Sequence, residues 1–212
     1  GTYDEYLARC GDDHLDAEAV VLRVKRERSE AEARSGGASS TVLSWEEQER
    51  RIYWSLHGRS IRVNAGGVLV LPCLAGRTLA ALLEDRGLDE ADRTSAIERA
   101  VSALADFHRL GLTHGDATAE NVLVDLGAGV AHWFDFETVH DPGRPTIWHR
   151  ADDLRALLAT CLMRAGRESH SATLSLVLDV YADEDVTRAL ADTFASVWRR
   201  SLAFHLAQAG IS

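Results

Sequence analysis

The residues of this chain best suited to chemistry are Asp116, Asn121 and Asp135. They lie in the stretch His114-Gly115-Asp116-Ala117-Thr118-Ala119-Glu120-Asn121-Val122-Leu123-Val124-Asp125 and in Trp133-Phe134-Asp135-Phe136-Glu137 shortly after it. A carboxylate, an amide five residues on and a second carboxylate fourteen residues beyond that put three oxygen-bearing side chains into one short piece of chain. Hard oxygen donors in that number suit Mg²⁺, which takes few protein ligands and fills its other positions with substrate phosphates and water. The chemistry this points to is phosphoryl transfer from a nucleotide.

Such side chains need elements to hold them. Val122-Leu123-Val124 is a short apolar run, Trp133-Phe134 a second, and Gly127-Ala128-Gly129 lies between them. That pattern predicts a loop, a strand, a turn and a second strand ending at an acid. Before it, a helix starts at Asp89 or Asp92 and carries Ile97, Val101, Leu104 and Phe107 or His108 at helical spacing. Gly111 terminates it, so the loop follows at once.

The front of the chain reads as strands with one helix. Residues 3–10 and Ala19–Lys25 form a hairpin across a polar loop. Arg23 and Lys25 fall on one face of the second strand, so either can point into a cleft. Taken alone, Arg23, Lys25, Arg26 and Arg28 read as a solvated cationic run. Residues 29–41 are polar and Gly/Ser-rich, a loop. Ser44 and Glu47 make a capping box for a helix from Trp45 to about Leu56. Residues 61–63 and 68–71 form another hairpin, stopped by Pro72. A short helix capped by Thr78 runs to about Arg86.

The back of the chain is helical. One helix begins near His149 with Leu154, Leu157, Leu158, Cys161 and Leu162, and two more cover about 171–181 and 184–209. Strands with one helix, then helices with one small hairpin, is an α+β arrangement in two lobes, 1–71 and 72–212.

Bulk properties narrow the class. The 212 residues are 46% hydrophobic and 26% charged, an ordinary globular composition. A net charge of −10 with no basic patch argues against a nucleic-acid partner. Cys10, Cys73 and Cys161 are odd in number and far apart, which fits a reducing compartment and a cytoplasmic protein rather than a disulfide framework. No apolar run approaches eighteen residues, so no membrane span is expected.

The motif set resembles the protein-kinase-like superfamily, which includes aminoglycoside and other small-molecule phosphotransferases. His114-Gly115-Asp116 with Asn121 has the spacing of its catalytic loop, and Asp135-Phe136-Glu137 resembles its DFG-type triplet. The resemblance implies a bilobal fold, with a small antiparallel-sheet N-lobe and a mainly helical C-lobe. It also implies Asp116 as base, Asn121 and Asp135 as Mg²⁺ ligands, and His114 as a brace for the loop. Leu22-Arg23-Val24-Lys25 looks like the V-A-I-K strand, so Lys25 would grip the ATP phosphates. Glu49, or Glu46 one turn earlier, would hold Lys25. Leu71, Cys73 and Leu74 would lie in the adenine-binding hinge. Asp153, or alternatively Asp152, would support the catalytic loop from the following helix. Gly1 would be the last glycine of a glycine-rich loop whose first strand is missing here.

Three departures separate the chain from eukaryotic-type protein kinases. Gly115 stands where they carry Arg, the metal triplet ends in Glu137 rather than Gly, and only about fifteen residues separate Glu137 from Asp153. There is no A-P-E-like segment. The similarity is closer to small-molecule phosphotransferases and compact atypical kinases, with ATP and a hydroxyl-bearing compound as substrates. The rival readings are an atypical protein kinase and an inactive pseudokinase module. A zinc site drawn from His108, His114 and Asp116, with His132, His140 and His149 nearby in sequence, lacks HExxH or CxxC spacing, and no G-x-S-x-G marks a hydrolase.

Overall fold

The computed structural model describes residues 45–57, 62–64, 68–70, 74–136, 138, 140 and 143–195. The chain divides into two compact units, Gly1–Leu74 and Ala75–Ser212. The described residues form α+β units in which helix predominates. Lys25, Leu71, Cys73, the 3–10/19–25 hairpin and the stretch around Gly1 lie outside the described residues.

In the first unit, α1 spans Trp45–His57, as its periodicity predicts. Glu49, Ile52 and Tyr53 are buried on one face at i, i+3 and i+4, while Trp54 is exposed. Strands β1 (Arg62–Asn64) and β2 (Val68–Val70) pair antiparallel with Val63 opposite Leu69, the hairpin expected there.

The second unit holds a three-stranded antiparallel sheet and five helices among its described residues. Helix α2 (Leu79–Glu84) starts where Thr78 accepts a hydrogen bond from the Ala81 amide. Helix α3 (Glu90–Arg109) starts at Asp89, whose carboxylate accepts from the Asp92 amide, so Asp89 is the cap rather than Asp92. Its buried residues Ala96, Ile97, Ala100, Val101, Leu104, Phe107 and His108 keep the helical period. Phe107 and His108 are both buried, and the stripe runs up to the turn before the loop. There the Gly111 amide donates to the His108 carbonyl and the Leu112 amide to the Phe107 carbonyl, with Gly111 at φ +77°. This is a Schellman stop, which satisfies the last carbonyls and turns the chain sharply.

The hairpin β4 (Val122–Asp125) and β5 (Val130–Trp133) pairs Val122 with Trp133 and Asp125 with Val130. Two details differ from the expected pattern. β5 begins at Val130, because the Gly129 amide closes the turn onto the Asp125 carbonyl, and it ends before Phe134. The acid is therefore two residues past the strand. A third strand, β3 (Arg77–Thr78), adds to β4 just before the helix that Thr78 caps, where the sequence pattern signalled no strand. Gly76 makes that approach possible: at φ +110°, a Cβ there would lie 2.6 Å from the Val124 carbonyl.

Helix α4 spans Thr146–Arg164 and begins three residues before His149, directly after Pro145. Proline's fixed φ and missing N–H suit it to the edge of a helix. Ala151, Leu154, Leu157, Leu158 and Cys161 bury its inner face. A 3₁₀ turn (Arg167–Ser169) leads to α5 (His170–Tyr181), and α6 is described over Glu184–Ala195. α3 packs on α5 and α4 on α6, which places the mid-part of α4 beneath the loop after α3. No helix among the described residues is long and apolar enough to cross a membrane.

Candidate active site

The loop between α3 and β4 is fixed by backbone and side-chain bonds along its whole length. The Thr118 amide donates to the Asp116 carbonyl at 2.8 Å and the Asn121 amide to the Thr118 carbonyl at 3.0 Å. The Ala119 amide is taken by Thr160 Oγ1 of α4 at 3.0 Å, and the Ala119 carbonyl accepts from Ala80 of α2 at 2.9 Å. A buried loop can persist only if its polar groups are met in this way.

Four residues close a ring of hydrogen bonds around the candidate chemistry. His114 Nε2 donates to the Phe134 carbonyl at 2.9 Å, and the Phe134 amide donates to the Asn121 carbonyl at 3.1 Å. The Asn121 amide group donates to both the backbone oxygen and Oδ2 of Asp116, each at 2.9 Å. The Asp116 amide returns to His114 Nδ1 at 3.3 Å. The ring fixes the His114 tautomer, since Nδ1 must accept while Nε2 carries the hydrogen. Burial holds the His114 pKa below its ordinary value, against the opposing pull of Asp153, Asp116 and Asp135, so the neutral ring is the native form. It also fixes the Asn121 side chain: both amide hydrogens face Asp116, so Oδ1 is the atom it can offer to a cation.

Asp135 follows Phe134 at φ +70°, a left-handed conformation uncommon for a residue with a side chain. Both polar backbone atoms of Phe134 are held by the ring, and the buried Phe136 stacks on Phe107 with ring centroids 5.4 Å apart. Asp135 is pinned on both sides, which is how such a conformation is sustained.

Behind the loop sits Asp153, 1% exposed. Its Oδ2 accepts from the His114 amide at 2.7 Å and from His108 Nε2 at 3.0 Å, and its Oδ1 accepts from the Gly115 amide at 2.8 Å. Asp152 instead pairs with Arg155 and lies 3.6 Å from His140, so Asp153 is the residue under the loop. Burial pushes the Asp153 carboxyl up, but the His140 charge and the His108 bond outweigh it and hold it well below the usual carboxylate range. Gly115 has no room for a side chain. At φ +83°, a Cβ would fall 2.8 Å from the Thr138 carbonyl carbon and nearer still to its oxygen. Any side chain at this position would meet the Thr138 backbone.

Asp116, Asn121, Asp135, His114 and Asp153 are thus gathered within the second unit. Glu49 and Leu74 belong to the first unit, where Glu49 is fully buried and Leu74 half-buried. The parts that sequence reasoning missed are supporting ones. His108 bridges Asp153 and the Tyr181 hydroxyl, the latter at 2.6 Å, and Thr160 bonds into the loop from α4. His108 could have been found as the polar residue closing an otherwise apolar stripe, and Thr160 lies inside the run of buried α4 residues. His140 and Tyr181 carry no local signal.

No protein-family model matches the chain, and no curated protein matches it. Among solved structures, the chain is similar to a divergent kinase lacking the glycine-rich loop, one that regulates membrane ultrastructure of the Toxoplasma parasitophorous vacuole. The identity is 15% and the TM-score 0.43, over 93% of this chain and 83% of that one.

Proposed function

We propose that this chain is a phosphotransferase of protein-kinase-like type, moving the γ-phosphoryl group of ATP to a hydroxyl on a small molecule. The observation that carries this reading is the closed ring His114–Phe134–Asn121–Asp116. It gives Asp116 a set orientation, turns Asn121 Oδ1 away from Asp116, and leads directly into Asp135.

The donor set fits a hard cation. An amide oxygen and a carboxylate are the sparse ligands with which Mg²⁺ binds beside phosphates. Asn121 and Asp135 would hold Mg²⁺, which would neutralise phosphate charge when bound. Lys25, steadied by Glu49, would add positive charge at the α- and β-phosphates, and residues 71–74 would receive the adenine.

Asp116 would accept a hydrogen bond from the acceptor hydroxyl and take its proton as the oxygen bonds to the γ-phosphorus. The bond from that phosphorus to the β–γ bridging oxygen breaks, and ADP leaves with the electron pair. The Asn121 bond to Oδ2 keeps the carboxylate aimed while this happens. Little covalent work falls to the protein, and catalysis is mostly positioning. A small acceptor is favoured by the brevity of the segment after the triplet, since α4 starts at Thr146, eleven residues past Asp135.

The test is transfer from Mg²⁺-ATP to a panel of hydroxyl compounds and peptides, followed by ³¹P NMR on the full-length protein. Asp116→Ala and Asp135→Ala should each abolish turnover with unchanged far-UV circular dichroism. Full activity in either variant would refute the assignment of roles, and ATP binding without turnover in the native protein would favour the pseudokinase reading.

A further inference from the structure

His140 lies outside every motif of the sequence, five residues past Asp135. The structure seats its imidazole, 10% exposed, between two carboxylates of α4. Nε2 is 3.3 Å from Asp153 Oδ1 and 3.6 Å from Asp152 Oδ2, ion-pair contacts rather than aligned hydrogen bonds. Its ring stacks on His149, also of α4, with centroids 4.7 Å apart and planes 9° from parallel.

Two residues earlier, the Thr138 backbone lies against Gly115, where a Cβ could not fit. The segment after the candidate metal triplet thus touches the catalytic loop at Thr138 and the loop's anchor at His140. Asp153 Oδ1 is shared between the Gly115 amide and His140, while Oδ2 is shared between the His114 amide and His108. We propose that His140 is a positioning residue: seated between Asp152 and Asp153, it fixes the carboxylate that holds the His114–Gly115 backbone and ties the segment after Asp135 to the loop carrying Asp116.

The charged groups around His140 agree with that role. Asp152 and Asp153 face it directly, Arg155 neutralises part of Asp152, His149 covers its ring, and His108 occupies the far oxygen of Asp153. Burial lowers the His140 pKa, but the two carboxylates outweigh this and raise it to about 10. The ring is therefore an imidazolium throughout the neutral range, and its clamp does not open with ordinary changes of pH.

The catalytic part of this inference rests on the phosphotransferase reading, while its structural part does not. The experiment has one arm for each. In the full-length protein with ¹⁵N-labelled histidine, one imidazole should keep both ring nitrogens protonated at pH 8.5, and His140→Gln should delete that signal. Hydrogen exchange at the His114 and Gly115 amides should rise at least about tenfold in the variant. Turnover should fall on the order of 10²-fold through kcat, as for a displaced catalytic group, with the KM for ATP within about threefold. A His140 signal that titrates near pH 6.5 overturns the proposal even if the variant fails to fold. So does unchanged amide exchange in a folded variant. Absence of turnover in the native protein refutes the phosphotransferase reading, and the exchange and imidazole arms still decide the role of His140.

Discussion

Replacing Asp153 by Asn tests the support of the loop most sharply, because shape is kept while charge and acceptor count change. The native carboxylate accepts from His114 N, Gly115 N and His108 Nε2 and faces His140. An asparagine has one acceptor oxygen. If the oxygen takes the Oδ2 place, the new NH₂ points at the Gly115 amide and the His140 cation. If it takes the Oδ1 place, the NH₂ opposes the His114 amide and His108. Either way a buried donor loses its acceptor, which costs about 1–3 kcal/mol. Removing one partner of a buried charge pair costs about 3–5 kcal/mol. Asp152, 3.6 Å from His140, moderates the second loss, so the expected sum is about 3–5 kcal/mol. For a domain of this size that is a fall of roughly 6–20 °C in Tm. The assay is urea unfolding at pH 7 followed by circular dichroism, in which the midpoint should drop at constant slope. Asp153→Asn combined with His140→Gln should cost less than the sum of the two changes, by about 0.5–3 kcal/mol, because the stranded charge is gone. A loss below about 1 kcal/mol for Asp153→Asn, or strict additivity in the pair, would refute the hub.

Other perturbations report on neighbouring parts. Gly115→Ala should destabilise by more than the ~1–3 kcal/mol of a strained backbone alone, since the added methyl meets the Thr138 carbonyl; a thermal melt checks it, and a neutral result would contradict the close approach. Thr160→Val removes the acceptor of the Ala119 amide and should cost about 1–3 kcal/mol, read from the urea midpoint. Stability against pH should peak near 6.5. The raised pKa of His140 contributes stability that is complete below its unfolded value and is lost as pH climbs from about 6.5 through about 10. The lowered pKa values of His114 and Asp153 act oppositely, giving stability present above their unfolded values and lost as pH falls through the folded ones. Chemical denaturation between pH 5 and 10 measures this, and the alkaline decline should flatten in His140→Gln.

The helices were legible because their signals are local. Asp89 and Thr78 are caps by residue type, Gly111 is a stop by residue type, and the α3 stripe recurs at fixed spacing. The gathering of Asp116, Asn121 and Asp135 was legible for a related reason: all three are tied to one hairpin, whose apolar runs and glycine turn are short-range features. What the sequence hid is long-range. β3 is two residues long and exists because Gly76 lets the backbone approach Val124, 48 positions away (124 − 76). The choice of Asp153 over Asp152 depends on which face of α4 meets the loop, and adjacent residues on a helix differ by about 100° in direction. His108 meets Tyr181, and His108 and His140 both reach Asp153, only through long-range packing, and no spacing announces that.

Gly115, Thr138, His140 and Asp153 form one physical arrangement. The space beside Gly115 is filled by the Thr138 backbone, and glycine is the residue that allows it. A glycine alone would leave the loop free to move, because it is the residue with the widest backbone freedom. Its amide is therefore bonded to Asp153, and the same carboxylate oxygen meets His140 from the segment just after Thr138. A side chain at 115 would displace Thr138, and loss of Asp153 would remove the anchor of both segments. An arginine at position 115 should consequently lower stability. A folded Gly115→Arg variant with native stability would show that the short segment is not held in this way.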